Sequence, residues 1–323
     1  MKRRILLQAA PALLCAPRLA RAQAAYPARP IRYIVPVVPG GGGDMVARTL
    51  AECWAGLLGQ PLVVDNMGGG GGVLGCQAAV RAAPDGYTLM QAYVTTHGTG
   101  PAARRVPYDP IHDFSPIGMI GTTPNVLVVN KELPVTTLRE FIAYLRENQG
   151  RASYGSAGQG SLTHLSMELF KQQTGTFMLH IPYRGAAPAF VDLAAGHTQA
   201  MFPGLVAGLP HIQSGRLRPL AITGLARHPL LQDLPTLEES GFKGFDAQQW
   251  YGVVGPAGLP APIIRKINES LAAVLALPEL REKFSSEAIE PVAMSPDQFG
   301  AYIKTGLARW SRLVRERRLT LDG

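Results

Sequence analysis

Residues 31–44, IRYIVPVVPGGGGD, set an apolar run against four consecutive glycines and an aspartate. Ile34, Val35, Val37 and Val38 read as a buried strand, and Met45, Val46, Leu50, Trp54, Leu57 and Leu58 recur at helical spacing. The chain must pass from strand to helix through Gly40, Gly41, Gly42 and Gly43, where the lack of Cβ atoms lets the backbone turn sharply and approach a ligand closely. The first N–H groups of such a helix have no partner inside it. Together with the helix dipole they favour an anion, each contribution being about 1 kcal/mol in a sheltered site. This junction therefore predicts an α/β sheet with half of an anion site at the end of its first strand. Asp44 reads as an N-cap or a brace for the loop, because as a direct contact it would repel an anion unless it held a water.

The following residues extend the sheet. Residues 61–64 form a second strand, 65–72 a second glycine-rich turn, 73–81 a helix, and 87–94 a third strand after the turn Pro84-Asp85-Gly86. This βαβαβ order implies a parallel sheet with helices on its faces. Thr95, Thr96 and His97 fall just past the third strand, the end where open α/β sheets take ligands. Residues 101–124 are rich in proline and turn formers, and the compact apolar run 126–129 marks the crossing into a second domain. There Thr137 and Glu140 form a capping box, and a short strand ending at Ser153-Tyr154 runs into GSAGQGS, residues 155–161. Ser161 caps a helix carrying Leu162, Leu165, Leu169 and Phe170. Strand, glycine loop and helix thus recur, so Ser156, Ala157, Gly158, Gln159, Gly160 and Ser161 become the second half of the anion site. Residues 180–183 and 199–202 are short strands, and 217–223 is the strand from which the chain returns to the first domain. A strand at 250–254, a helix at 261–275 and a C-terminal helix capped by Ser295 and Gln298 complete it. The last helix buries Phe299, Ile303, Leu307, Trp310 and Val314, and Arg309, Arg312, Arg315, Arg317 and Arg318 form its solvated side and end.

A length of 323 residues favours two domains, each with its own core. Lys2, Arg3 and Arg4 precede an apolar segment at 5–14 and then small residues. That is the layout of a bacterial export signal over residues 1–24, cleaved after Ala20-Arg21-Ala22 or Ala22-Gln23-Ala24. Arg3-Arg4 before Ile5, Leu6 and Leu7 suits the twin-arginine and the Sec route alike. The bulky Leu14 argues against lipoprotein processing at Cys15. Cleavage removes five basic residues and no acid, lowering the formal charge from +8 to +3 and most of the support for a nucleic-acid partner. No other apolar run approaches the roughly 20 residues of a membrane span, which predicts a soluble periplasmic protein. Of the remaining cysteines, Cys53 and Cys76, a disulfide is permitted in that compartment, while buried free thiols are common and are the favoured state.

Gly70-Gly71-Gly72-Val73-Leu74-Gly75 fits G-x-G-x-x-G, but five glycines in a row satisfy many patterns. Gln91, Ala92 and Tyr93 stand where a ribose-binding acid belongs, so a tight turn with close helix packing is the reading, and no cofactor is expected. The four-glycine loop lacks the Gly-Lys-Ser/Thr ending of a Walker loop, and Tyr154 breaks G-x-S-x-G around Ser156. Ser161 and His164 lie one helical turn apart, as a nucleophile and base would. With no third group evident, capping by Ser161 and packing or ligand contact by His164 are preferred. The scattered histidines offer no metal spacing.

Several segments together resemble the Bug family, the extracytoplasmic solute receptors of tripartite tricarboxylate transporters. They are YPARPIRYIVPVVPGGGGDMVAR (26–48), GQPLVVDN (59–66), PDGYTL (84–89), VPYDPIHDFSPIG (106–118), PNVLVVN (124–130), YGSAGQGSLTHLSMELF (154–170), PYRGAAPA (182–189) and LPTLEESG (234–241), in order and with matching spacing. The resemblance implies a two-lobed, type II-like periplasmic binding protein. Each lobe would be a central, mainly parallel sheet flanked by helices, with a hinge of two crossings. Its domains would be 25–122 with 226–323, and 123–225. It further implies a monomer that closes over a small carboxylate solute and delivers it to integral-membrane transporter subunits, without catalysis. Gly40 to Asp44 and Ser156 to Ser161 match the family's carboxylate loops, and His97, His164, Pro203 and Gly204 match positions lining its cleft.

Three departures bear on the solute. Gly42 and Gly43 stand where the family often has Ser and Thr, leaving backbone or water as donors. Pro203-Gly204 replaces a frequent Asp-Asn, which removes a partner for an ammonium group and predicts a ligand without one: an aliphatic dicarboxylate or an aromatic carboxylate. Met67 replaces a common arginine after Asp65-Asn66, which puts a salt bridge there in doubt. Two other classes remain open, an exported hydrolase using Ser161 and His164, and a sensory receptor that docks a membrane kinase.

Overall fold

Two mixed sheets carry the fold in the computed structural model, which describes residues 26–245 and 247–318. The expected export signal with its cleavage sites, and Cys15, lie outside the described residues. The first sheet begins with β1 (Ile31–Val35), α1 (Gly42–Leu58), β2 (Leu62–Asn66), α2 (Val73–Val80) and β3 (Thr88–Tyr93). A π-helical turn at Thr95–Thr99 and α3 (Gly100–Ala103) lead to β4 (Phe114–Pro124). The second sheet holds β5 (Val126–Asn130), α4 (Leu138–Glu147), β6 (Ser153–Ser156), α5 (Leu162–Thr174), β7 (Leu179–Pro182), α6 (Ala186–Ala194), β8 (Ala200–Met201), α7 (Leu205–Gln213) and β9 (Leu217–Ile222). The chain then rejoins the first sheet with β10 (Gln248–Pro256), α8 (Ala261–Leu275), α9 (Pro278–Ser286), β11 (Glu290–Pro291) and α10 (Pro296–Arg317).

Strand order is β11-β4-β10-β3-β1-β2 in the first sheet and β7-β6-β8-β5-β9 in the second. The helical crossovers give parallel pairs, β1 with β2 and β3, and β6 with β7 and β8. The other pairs, β10 with β3 and β4, β11 with β4, and β5 with β8 and β9, are antiparallel. The sheets are therefore mixed where mainly parallel ones were expected. A parallel neighbour needs a crossover of a dozen or more residues, and strands that pass directly between the sheets have none. Strand β4 lies in the stretch read as turn-rich. Its outer edge is paired only at Gly121 and Thr122, and its register against β10 shifts twice, so Pro116 and Pro124 are tolerated.

Alternation along β1 sends Ile31, Tyr33 and Val35 into one core with Leu50 and Trp54 of α1 and Ile267 and Leu271 of α8, and Ile34 into another with Cys76 and Met90. The Trp54 indole donates to Ser270 Oγ at 2.8 Å, tying α1 to α8. Cys53 and Cys76 are free and pack in cores on opposite faces of the sheet. Both expected capping boxes form, Thr137 with Glu140 and Ser295 with Gln298. Along α10 Phe299, Ile303 and Trp310 are buried, while Leu307 and Val314 are only half-buried. No described helix is long and apolar enough to cross a membrane.

The chain crosses between sheets at Asn125 and again within 223–247, and these connections are pinned together. Asn125 N–H donates to Thr223 Oγ1, Thr223 N–H donates back to Asn125 O, and Thr223 Oγ1 donates to Ala247 O, each at 2.8 Å.

Candidate functional site

At the start of α1, Gly41 occupies the N-cap in an extended conformation, and Gly42 and Gly43 form the first turn without a side-chain cap. Asp44 is thus not the N-cap. Its carboxylate folds back as the loop brace, accepting from Gly40 N–H and Asn66 Nδ2 at 2.9 Å each and pairing with Arg48 Nε at 2.9 Å. Burial pushes this carboxyl up, but the hydrogen bonds from Arg48, Gly40 and Asn66 outweigh it and hold the group below its ordinary value. Gly40 has its amide used inside the loop and needs a left-handed φ of 82°. The amides of Gly41, Gly42 and Gly43 are buried and have no acceptor among the described residues. Buried donors of this kind are destabilising unless a ligand or water satisfies them. Asp65 makes its ion pair with Arg32 at 2.6 Å, so the arginine missing at Met67 is replaced from β1.

The second glycine loop is built oppositely. Ala157 N–H donates to Thr163 Oγ1 (2.8 Å), Gly158 N–H to Ser156 Oγ (3.1 Å) and Gly160 N–H to His164 Nδ1 (3.1 Å). Ser161 N–H donates to Gly158 O (3.1 Å), and Leu162 N–H reaches Thr95 Oγ1 of the first lobe at 3.4 Å. Most of the donors expected to face the ligand are already engaged. The physical reason is a supply of nearby acceptors, since Ser156, Thr163 and His164 all turn onto the loop. Ser161 caps α5 as expected, its Oγ accepting from His164 N–H at 3.3 Å.

Between the loops lies a cleft of about 750 Å³, part of it open to solvent. Gly41, Gly42, Gly43, Ala157, Ser161, Pro203 and Gly204 line it, as the sequence led us to expect. Gly40, Asp44, Thr96, His97, Ser156, Gly158, Gln159, Gly160 and His164 are not among its lining residues. Thr96 Oγ1 donates to Tyr93 O at 3.0 Å, and His97 is wholly buried, edge-on to Phe114, with burial lowering its pKa to about 3. These two support the π-helical turn from within, and the strand-end rule alone could not tell inward from outward faces. Sequence reasoning missed Tyr93 and Tyr251 on the cleft, neighbours across β3 and β10, and Gln249 and Arg184. Burial pushes both tyrosine hydroxyls up, so they remain protonated donors. Among the described residues no aspartate or glutamate lines the cleft.

Close packing shapes this space. A Cβ at Gly42 would come within 2.7 Å of Val206 Cγ1 and 3.1 Å of the Tyr251 hydroxyl, so the α1 start meets α7 of the other lobe with no room for a side chain. Gly75 packs on Pro36, where a Cβ would fall 2.6 Å from the ring, in keeping with the tight-turn reading of residues 70–75.

Ser161 and His164 do not form a nucleophile–base pair. Ser161 Oγ donates to Gly158 O at 2.6 Å, and the His164 ring accepts from Gly160 N–H and stacks on His180 at 4.0 Å. Burial, with Lys171 nearby, lowers His164 to about 4, and burial with His164 beside it lowers His180 to about 3. Ser156 Oγ lies 2.6 Å from His180 Nε2, but this pair is buried beneath the loop and does not line the cleft. No metal-holding cluster occurs among the described residues.

Comparison with known proteins places this geometry. A family model described as "Tripartite tricarboxylate transporter family receptor" (TctC) matches residues 46–319. Protein BugT of Bordetella pertussis is 38% identical over 297 residues, 90% of this chain and 90% of its own. A solved R. palustris protein with adipate is 34% identical, with a TM-score of 0.88 over 91% of this chain and 99% of that one. MatC from Rhodopseudomonas palustris with bound malate is 29% identical, with a TM-score of 0.84 over 90% of this chain and 100% of that one. These findings agree with the resemblance drawn from the motifs and favour neither the hydrolase nor the kinase-docking alternative.

Proposed function

The chain belongs to the tripartite tricarboxylate transporter receptor family, and on that premise we propose that it captures a carboxylate-bearing solute with the amides of Gly41, Gly42 and Gly43. The observation that carries the reading is that these three buried donors have no acceptor among the described residues and open onto a cleft that no described acidic side chain lines. Hydrogen bonds to a charged group contribute roughly 1.5–3 kcal/mol each, and three of them support micromolar affinity after ordering costs. The relatives solved with adipate and malate support a carboxylate, and the lack of an acid to hold an ammonium group supports an aliphatic dicarboxylate or an aromatic carboxylate over an amino acid.

The lobes divide at Asn125 rather than between 122 and 123, because Thr123 and Pro124 still pair with β10, and again near 225, and they close about the pinned crossings. A ligand that touches both lobes binds the closed form more tightly and shifts the equilibrium toward it. Thr95, Tyr93, Tyr251 and Gln249 complete the first wall, while Ala157, Ser161, Pro203 and Gly204 complete the second. After loss of residues 1–24 the protein acts as a periplasmic monomer and hands its solute, chemically intact, to membrane subunits.

Calorimetric titration of the purified protein tests the ligand class, with mass spectrometry of whatever copurifies in the cleft. Micromolar binding of a plain carboxylate is expected. Tight binding of aspartate or glutamate, with none of simple carboxylates, refutes the reading.

A further inference from the structure

Arg184 is the one charged side chain among the described residues that line the cleft. It stands on the turn between β7 and α6, exposed at the rim, and among the described residues no hydrogen bond, ion pair or ring contact engages its guanidinium. The backbone on either side is held. Tyr183 donates its hydroxyl to Asp192 at 2.6 Å, and Asp192 also faces His197 at 3.3 Å, so the nearby acid has partners of its own. Gly185, at a φ of 130°, packs against the first lobe so closely that a Cβ there would lie 2.6 Å from Val38 Cγ2. Arg184 therefore rides on the second lobe but is pressed to the edge of the first.

We infer that Arg184 is a specificity-determining residue, pairing at the rim with a second anionic group of the ligand while the first carboxylate occupies the buried amides of Gly41 to Gly43. The inference rests on the carboxylate reading above and adds that the solute is a dianion. A planar guanidinium takes a carboxylate through two parallel hydrogen bonds and stays charged at every physiological pH. The second carboxylate cannot share the α1 start with the first, because like charges at one small site repel, whereas the rim offers the only cationic side chain among the described residues of the cleft. The α1 amides belong to the first lobe and Arg184 to the second, so a dianion spans the gap and holds the lobes together. A monoanion engages only the amides. The second glycine loop, with its donors engaged internally, leaves the opposing charge to be supplied from elsewhere on that lobe, and Arg184 supplies it.

The test pairs each straight-chain dicarboxylate from succinate to suberate, and each phthalate isomer, with the monocarboxylate of the same carbon skeleton. Each is titrated calorimetrically into the wild type, Arg184→Met and Arg184→Lys. The wild type is expected to prefer the best-fitting dicarboxylate over its monocarboxylate by about tenfold, a size set by a charge-assisted contact weakened by solvent at the rim. Arg184→Met should bring that ratio close to one and leave monocarboxylate affinity within about twofold, and Arg184→Lys should restore part of it, since a lysine keeps the charge but not the fork. An unchanged ratio in Arg184→Met, or a wild type that binds the two members of each pair equally, overturns the role of Arg184 and leaves capture at the amides standing. A wild type that binds no member of any pair overturns both. Because the side chain is exposed, thermal melts of the variants should overlay that of the wild type.

Discussion

The loops at 40–43 and 155–161 share one plan, strand into glycines into helix, and end in opposite chemical states. In the first, the N-cap and first two helical residues are glycine and the one polar residue of the turn, Asp44, folds back to Gly40, so three buried amides have no acceptor among the described residues. In the second, Ser156, Thr163 and His164 turn onto the backbone and consume its donors. A glycine-rich helix start is an anion site only where its neighbours lack the side chains to satisfy it. In the proposed capture the first loop is the one left for a solute to complete, while the donors of the second are already engaged.

That contrast is most easily broken at Gly42. The change Gly42→Val places atoms into Val206 and the Tyr251 hydroxyl, so closure and binding should fail together, with affinity falling by at least about 100-fold. Retained affinity within tenfold would remove the α1 start from the contact. Gly41→Pro deletes one open amide and should weaken binding by about 10- to 100-fold, the worth of one hydrogen bond to a charged group. Unchanged affinity would count against main-chain capture.

A milder effect belongs to the second loop. His164 and His180 are held far below the ordinary histidine value near 6.5, at about 4 and about 3, by burial and neighbouring positive charge. The unfolded chain therefore binds more protons between these values, and stability rises with pH there. The contribution is fully present above about pH 6.5 and is lost as pH falls toward 4. Acid must also break the acceptance of Gly160 N–H by His164 Nδ1. Thermal melts should show a falling midpoint across that window, and a flat profile would contradict the buried, neutral stack. Smallest of all, Ser161→Ala removes the α5 cap and should lower stability by about 1 kcal/mol, with ligand affinity kept within about threefold. Were affinity to drop as far as in Gly41→Pro, the second loop would be a direct contact after all.

Much of this was legible in local spacing. The β1–α1 junction, the capping boxes at Thr137 and Ser295, the α8 helix and the crossing near residue 125 follow from periodicity and turn chemistry within short windows. What escaped depends on long-range pairing. Strand β4 carries Pro116, Gly118, Gly121 and Pro124, which read as a loop until a two-residue outer neighbour and a bulged partner are known. The closed state of the second loop rests on His180 beneath Ser156 and on Thr95 against Leu162, contacts 24 and 67 residues apart in the chain. Tyr251 reaches the cleft beside Tyr93 of β3 and Gln249 beside Thr123 of β4, partners that lie far apart in the chain. Arg184 lay inside a motif read only for its likeness to a family, where a basic residue before a capping glycine was the available signal.

The mutual hydrogen bonds of Asn125 and Thr223 fasten both passages between the sheets at a single place. Two straps knotted together would favour swivelling over sliding in the proposed closure. In the closure proposed above, Gly204, bridged to Asn125 itself, would travel least, and the seam where Gly185 presses on Val38 would part first. In that motion glycine and valine would set how readily the mouth parts while Arg184 beside them reads charge, so residence time and recognition are tuned at neighbouring positions.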